Sequence, residues 1–288
     1  MRTRSVSELE RLYDLHKNGP RAPATIRYLD WTFEVPDPIA FLYQVKEIVV
    51  QGIYDFPCDI PDPVILDCGA NVGVSAVYLA TRHPEARLLL FEPDPAVAVY
   101  LERNLELNGL GHIPVIRAAV WVHAQGVEFT PEGTEGGSIL GVGPTIQVDS
   151  LRLRDILAGL SRIDFLKMDI EGAEAQVLED CAEQLNRVGF AFVESHCWRH
   201  RPQALHRVLE VLAGAGFRYY LENVWPGDAP FLRGGGGPAM DVQANVWARR
   251  KYEAPDGERR LALFAESEQN KENVPQGLAN SPNTLLKG

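Results

Sequence analysis

A chain of 288 residues with 45% hydrophobic content is long enough for one large domain with extensions and a substantial core. Its formal net charge of −11 argues against general affinity for nucleic acid, which needs clustered Lys and Arg to displace counterions, and mildly against phosphorylated or strongly acidic substrates. No apolar stretch approaches the ~18 residues of a membrane span, the opening residues Met1 to Glu10 lack the apolar core of a secretion signal, and Cys58, Cys68, Cys181 and Cys197 form no C-x-x-C pair. A cytoplasmic chain with reduced thiols, no membrane partner and no nucleic-acid partner is therefore expected.

Residues 1–62 precede the first core strand. Pro36-Asp37-Pro38 reads as a helix start, with Asp37 as cap and Pro38 in the first turn, and Ile39, Leu42, Tyr43, Val45 and Val49 carry an apolar run to about Val50. This predicts an N-terminal helical extension, either covering one end of a sheet or serving as part of a lid. From 63 to 250 strands and helices alternate. That pattern implies an α/β, Rossmann-like domain: a mostly parallel seven-stranded sheet with helices on both faces. Strands are expected at 64–67, 87–91, 113–118, 163–168, 188–194, 217–222 and 242–248, and helices at 72–82, 95–108, 151–159, 173–185 and 202–215. An insert from Trp121 to Val148 holds two short strands, Val127 to Thr130 and Thr145 to Val148. Its Gly133, Gly136, Gly137, Gly141 and Gly143 suggest a mobile flap on the substrate side. Gly234 to Gly237 predict a turn between the last two strands. Residues 251–288 turn polar and are expected to be a disordered tail, dispensable beyond about Glu266 for folding, binding and turnover.

The most informative segment is Val64-Ile65-Leu66-Asp67-Cys68-Gly69-Ala70-Asn71-Val72-Gly73, a buried strand feeding a tight turn and then a helix. Gly69 and Gly73 let the backbone pass close to a ligand. About 20 residues later Leu88-Leu89-Leu90-Phe91 ends in Glu92, where an acid grips ribose hydroxyls in dinucleotide folds. The G-x-G-x-x-G of nicotinamide and flavin sites is missing its second glycine, and Asp67 stands where a pyrophosphate would be repelled and an ammonium group welcomed. S-adenosylmethionine carries an amine and a sulfonium and no phosphate, so D-x-G-x-x-x-G favours it over NAD.

Asp67 to Gly73, Phe91-Glu92-Pro93-Asp94, Asn104 with Leu107-Asn108, Asp149-Ser150-Leu151, Lys167-Met168-Asp169-Ile170-Glu171-Gly172-Ala173-Glu174 and Glu194-Ser195-His196 together resemble the FkbM-type methyltransferase family. The match runs in order from about Asp67 to His196, with weaker similarity from Phe41 to Phe56. The resemblance implies a class I methyltransferase fold over 63–250 that uses S-adenosylmethionine, usually on a hydroxyl oxygen. The expected cofactor set is Asp67, Gly69, Asn71, Gly73, Ser75, Glu92, Pro93, Asp94, Ala119 and Asp169. Asp67 and its turn would hold the methionine part, and Glu92 the ribose. No acid follows the third strand at Arg117-Ala118-Ala119-Val120, so the adenine ring is left to backbone contacts and apolar packing.

Methyl transfer to oxygen is an in-line displacement that the protein mainly aligns, but a neutral alcohol must shed its proton, so a base or a metal is useful. Ligands of open α/β sheets sit beyond the carboxyl ends of the strands. The fourth strand ends at Asp169 with Glu171 and Glu174 beyond it, the last read as a helix-stabilising acid. The fifth ends at Glu194-Ser195-His196, where His196 titrates in the right range to accept the proton and Glu194 orients its ring if the strand runs through both. The catalytic candidates are His196, Asp169, Glu171 and Glu194. His196, His200 and His206 do not read as a zinc set, because Pro202 disfavours a helix through them. A metal-free site is expected, with Mg²⁺ at the carboxylates as the alternative. Trp198, Trp225 and Phe231 are candidates to line an acceptor pocket or to pack under loops. The reading is an O-methyltransferase of a small-molecule hydroxyl, in a sugar or secondary metabolite. A homodimer is possible. The rivals are a dehydrogenase, a nucleic-acid methyltransferase, an N-methyltransferase of a small molecule, and a non-catalytic cofactor-binding scaffold.

Overall fold

The computed structural model of the chain describes residues 2–133, 137–225 and 240–250. The expectations for Gly136, the Gly234 to Gly237 turn, Phe231 and the tail from 251 fall outside these residues. Residues up to Arg250 belong to one compact unit, so the N-terminal segment is built into the main body and is not a separate domain. It begins with helix α1 (Arg2–His16), an antiparallel hairpin of β1 (Ala24–Tyr28) and β2 (Trp31–Val35), and helix α2 (Pro38–Gln44), which continues as a π-helical stretch over Val45–Gln51. The Asp37 cap forms as the sequence predicts, its Oδ1 accepting the Ile39 and Ala40 N–H groups at 2.8 and 3.3 Å.

A purely helical extension over 1–62 is corrected by that hairpin. Its strands are only five residues each, and the turn between them puts Leu29 at φ 56, where Gly or Asn would have signalled it. The hairpin is fastened from outside itself. Asn104 Oδ1 accepts the Glu34 N–H at 2.7 Å and its Nδ2 donates to the Glu34 carbonyl at 2.9 Å, while Asn108 repeats both bonds with Thr32 at 3.0 and 2.8 Å. Two amides four residues apart on one helix thus complete the free edge of β2 as a neighbouring strand would.

The core elements follow the apolar runs: β3 (Val64–Cys68), α3 (Val74–Arg82), β4 (Arg87–Phe91), α4 (Pro95–Leu107) and β5 (Val115–Ile116). The insert holds β6 (Ala119–Trp121), β7 (Val127–Phe129), β8 (Ile146–Val148) and β9 (Ser150–Arg152). After it come α5 (Leu153–Gly159), β10 (Ile163–Met168), α6 (Glu174–Cys181), β11 (Val188–Trp198), α7 (Leu205–Gly214), β12 (Phe217–Asn223) and β13 (Met240–Arg250). The sheet order is β12-β13-β11-β10-β3-β4-β5, with only β13 antiparallel to its neighbours. This is the mostly parallel, doubly covered sheet expected. One face buries Leu66, Leu166 and Val193 against Leu157 of α5, Leu178 of α6 and Leu212 of α7. On the other, Phe165, Phe190 and Phe192 meet Tyr54 and Phe56 of the N-terminal segment, and Ser75 of α3 bonds Asp67. The four cysteines are unpaired. Among the described residues no helix is long and apolar enough to cross a membrane.

The two short strands predicted in the insert pair as an antiparallel ribbon, β7 with β8. The parallel pair β6–β9, three residues each, gave no sequence signal of its own. β11 runs four residues beyond its predicted end, so Glu194 and His196 lie on one strand and one face.

Candidate active site

Strand β3 ends in a turn shaped by its glycines. Gly69 sits at φ +87, and a Cβ there would lie 1.9 Å from the Asp169 carbonyl oxygen, so only glycine lets the tips of β3 and β10 come together. Gly73 at φ +90 then opens α3. Next to this turn Glu92 is buried, its two carboxylate oxygens accepting the N–H groups of Asp94 and Asn71, each at 2.9 Å. Burial pushes the Glu92 carboxyl up to about 7, with those two N–H bonds opposing the shift. Asp94 caps α4 through Oδ1 and takes the Gly133 N–H on Oδ2.

A cleft of about 650 Å³, counted out to open solvent, lies over these groups. Its polar wall includes Gly69, Asn71, Glu92, Asp94, Asp169 and Glu171, with Pro93 beside them; its apolar wall includes Val97, Ala119, Val120, Phe129 and Ile139. Phe129 and Ile139 come from the insert, so the segment expected as a flap lines the same cleft as Glu92.

Asp67 and Ser75 are placed differently from the sequence expectation. Neither lines the cleft. Asp67 is fully buried beneath the turn, where its Oδ2 accepts the Ser75 hydroxyl at 2.5 Å and its Oδ1 lies 3.2 Å from Lys167 Nζ. Lys167 also donates to the Gly69 carbonyl and stands 3.6 Å from Asp169 Oδ2. Burial works against its charge, but Asp67 and Asp169 outweigh that and hold its pKa above the usual value. Asp67 thus braces the turn from within, and Lys167 is a structural partner the sequence reading left without a role. The signal was available: a lysine inside an otherwise apolar, buried parallel strand needs an acid, and Asp67 is its register partner on β3.

At the tips of β10 and β11 the remaining candidates converge. Asp169, Glu171 and His196 bring ligand atoms within 4.8 Å of one another. His196 is buried, with Nδ1 3.1 Å from Glu174 Oε1 and Nε2 3.6 Å from Glu171 Oε2 and 3.9 Å from Glu194 Oε1. Glu174 also accepts the Gly172 N–H at 2.9 Å and the Ile170 N–H at 3.3 Å, so its carboxylate is fixed by the turn it follows. Glu174 therefore orients the His196 ring besides serving its helix, a role its position in sequence did not reveal. Burial pushes Glu171 well above the carboxylate range, opposed by His196 and reinforced by Asp169, and burial with Asp169 brings Glu194 up to about 7. Burial alone would discharge His196, but Glu171, Glu174 and Glu194 together hold its pKa well above the ordinary value.

Loops close over this cluster. Ser138 Oγ and Trp198 Nε1 donate to the Glu171 carbonyl at 2.6 and 3.2 Å, holding Glu171 at φ 57, and the Trp198 ring lies nearly parallel to His196 with centroids 6.3 Å apart. Trp225 bonds Gln243, which in turn bonds Glu194. His200 and His206 are exposed and do not join.

Residues 67–219, more than half of the chain, match the family model described as the methyltransferase FkbM domain. The chain is 30% identical over 181 residues to methyltransferase sdnD of Sordaria araneosa, covering 50% of this chain and 69% of that one. It is 32% identical over 157 residues to 2-O-methyltransferase NoeI of Sinorhizobium fredii, covering 46% of this chain and 63% of the relative, under two thirds of its length. The fold is similar to the crystal structure of an S-adenosylmethionine-dependent methyltransferase from Agrobacterium tumefaciens, with a TM-score of 0.50, 13% identity, and coverage of 82% of this chain and 72% of that one.

Proposed function

The chain belongs to the FkbM methyltransferase family, and on that premise we propose that it transfers a methyl group from S-adenosylmethionine to a hydroxyl of a small molecule, in a sugar or secondary metabolite. The observation that carries the reading is the buried Glu92 carboxylate facing the cleft. Each of its oxygens takes one backbone N–H and keeps a lone pair for one ribose hydroxyl. The apolar wall from Val97 to Ile139 offers the adenine ring packing without an acid. The methionine end would then lie along Gly69 and Asp169, which points the sulfonium methyl toward the tips of β10 and β11. There the carboxylates gathered around His196, Glu194 first among them, receive the hydroxyl proton, because these acids keep the imidazole itself charged and not the free base expected from sequence. Oxygen as the acceptor atom is supported by the name of NoeI, a 2-O-methyltransferase.

Calorimetry with S-adenosylmethionine, S-adenosylhomocysteine and NAD tests the cofactor, and labelled methyl transfer onto a panel of sugars and secondary-metabolite alcohols tests the reaction. The sulfonium compound and its product should bind and NAD should not; tight NAD binding alone would sink the reading. A product methylated on nitrogen would make it an N-methyltransferase, and binding without turnover on any acceptor a scaffold.

The raised Glu92 pKa gives a sharper check. Ribose hydroxyls donate to the ionised carboxylate, so affinity should rise as pH passes upward through about 7. Between pH 6 and pH 8 the gain for S-adenosylhomocysteine should be about tenfold, with protons released on binding. Glu92→Gln should flatten that dependence. Equal affinity at both pH values in the native chain would remove Glu92 from the ribose site.

A further inference from the structure

We propose that Asp169, Glu171 and His196 form a site for one divalent first-row metal ion, and that the acceptor hydroxyl binds this ion as it loses its proton. The second half rests on the methyltransferase reading; the ion site itself does not. It revises the metal-free expectation drawn from sequence.

The three ligand atoms lie within 4.8 Å of one another. The 3.6 Å between His196 Nε2 and Glu171 Oε2 is too long for a hydrogen bond. It falls near the roughly 3–3.6 Å that separates two donors sharing an ion at ~2.1 Å from each. The independent observation is the imidazole itself. Its side chain is 2% exposed, and Nε2 points between Glu171 and Glu194 at 3.6 and 3.9 Å, ion-pair contacts longer than a hydrogen bond. A ring nitrogen set between two carboxylates at these distances is placed as a metal ligand is, with room for an ion between them.

The other ring nitrogen is already arranged as metal sites arrange it. Glu174 faces Nδ1 and is held by the Gly172 and Ile170 N–H groups, so the tautomer and ring angle that free Nε2 are set by the fold. Lys167, the nearest ammonium, is engaged with Asp67 and the Gly69 carbonyl and stays 3.6 Å from Asp169 Oδ2. One imidazole with two carboxylates suits Mn²⁺, Fe²⁺ or Zn²⁺ better than Ca²⁺ or Mg²⁺.

With the ion bound, the acceptor O–H would coordinate it and pass its proton to the Glu194 carboxylate. The alkoxide electron pair then forms the O–CH₃ bond, the CH₃–S⁺ bond breaks, and its pair stays on sulfur as the neutral thioether of S-adenosylhomocysteine.

The test uses the full chain stripped with EDTA and titrated with Mn²⁺, followed by electron paramagnetic resonance, and with Zn²⁺, followed by calorimetry. One equivalent should bind, and the Mn²⁺ spectrum should carry nitrogen coupling from one imidazole. His196→Gln should abolish that coupling. Both His196→Gln and Glu171→Gln should weaken binding at least about tenfold, while His200→Gln should leave it unchanged. Retained S-adenosylhomocysteine affinity certifies that each variant is folded. A chain that binds S-adenosylhomocysteine but neither metal overturns the site and leaves the methyltransferase reading intact, as does metal binding indifferent to both substitutions. Full methyl transfer in EDTA overturns the ion's part in the reaction. Stoichiometric metal binding in a chain that ignores S-adenosylmethionine would uphold the site while the methyltransferase reading fell.

Discussion

Lys167→Met should lower the free energy of unfolding by about 3–5 kcal/mol, the usual cost of removing one partner from a buried ion pair. Met is close to Lys in volume, so the loss reflects charge and not a cavity. Without the ammonium, Asp67 keeps only the Ser75 hydroxyl, and its Oδ1, whose 3.2 Å contact with Nζ is an ion pair and not an aligned hydrogen bond, is left without compensation in the core. The Gly69 carbonyl loses its donor as well, so the turn should loosen and S-adenosylhomocysteine should bind more weakly. The sign of the pH effect follows from the raised Lys167 pKa. Stability from this group is complete below the unfolded value of 10.5 and is lost only as pH rises through the higher folded value. Denaturant melts at pH 6 and pH 8 should therefore show the same deficit. Lys167→Met with Asp67→Leu should recover much of it, since an apolar pair replaces a buried ionic one at little cost. A single variant within about 1 kcal/mol of the native chain would mean that water, and not Lys167, balances Asp67.

The sheet was legible because its physics is local. Runs such as Val64 to Leu66 and Leu88 to Phe91 are apolar on both faces, as only the interior of a doubly covered parallel sheet requires, and the helices between them repeat at 3.6 residues. The β1–β2 hairpin was not, since five-residue alternations joined by Leu29-Asp30 carry no turn signature and draw their stability from Asn104 and Asn108, some seventy residues away. The β6–β9 pair, three residues on each side, is set by the fold around it.

The candidate site was legible in kind and less so in detail. Residues at strand tips were found because open α/β sheets present ligands there. What sequence could not show is which acids face the cleft. Asp67 and Glu92 end neighbouring strands, yet Asp67 turns under the loop toward Lys167 while Glu92 faces the ligand space. Glu174 illustrates the same gap. An acid in the first turn of a helix is ordinarily a dipole partner, and only the register that carries β11 through to Trp198 brings His196 onto it.

Replacing His196 should separate chemistry from cofactor binding. The residue is absent from the cleft lining, so His196→Ala should keep S-adenosylhomocysteine affinity within a few-fold while turnover falls by about 10²–10⁴-fold, the span expected when acid–base machinery is disrupted. The loss is expected whether Nε2 binds the ion that acidifies the hydroxyl or, as an imidazolium, holds the surrounding carboxylates in place to take the proton, because both routes pass through the same nitrogen. Ala leaves the Glu174 carboxylate buried without the ring, and some of the deficit would then be structural. His196→Gln answers that objection, since its amide can still donate to Glu174 while offering no basic nitrogen. A deficit of similar size in both variants, with melting temperature and cofactor affinity close to native in the Gln form, assigns the loss to the nitrogen. Native turnover in His196→Gln would instead mean that the carboxylates of Asp169, Glu171 and Glu194 take the proton without help from the imidazole they surround.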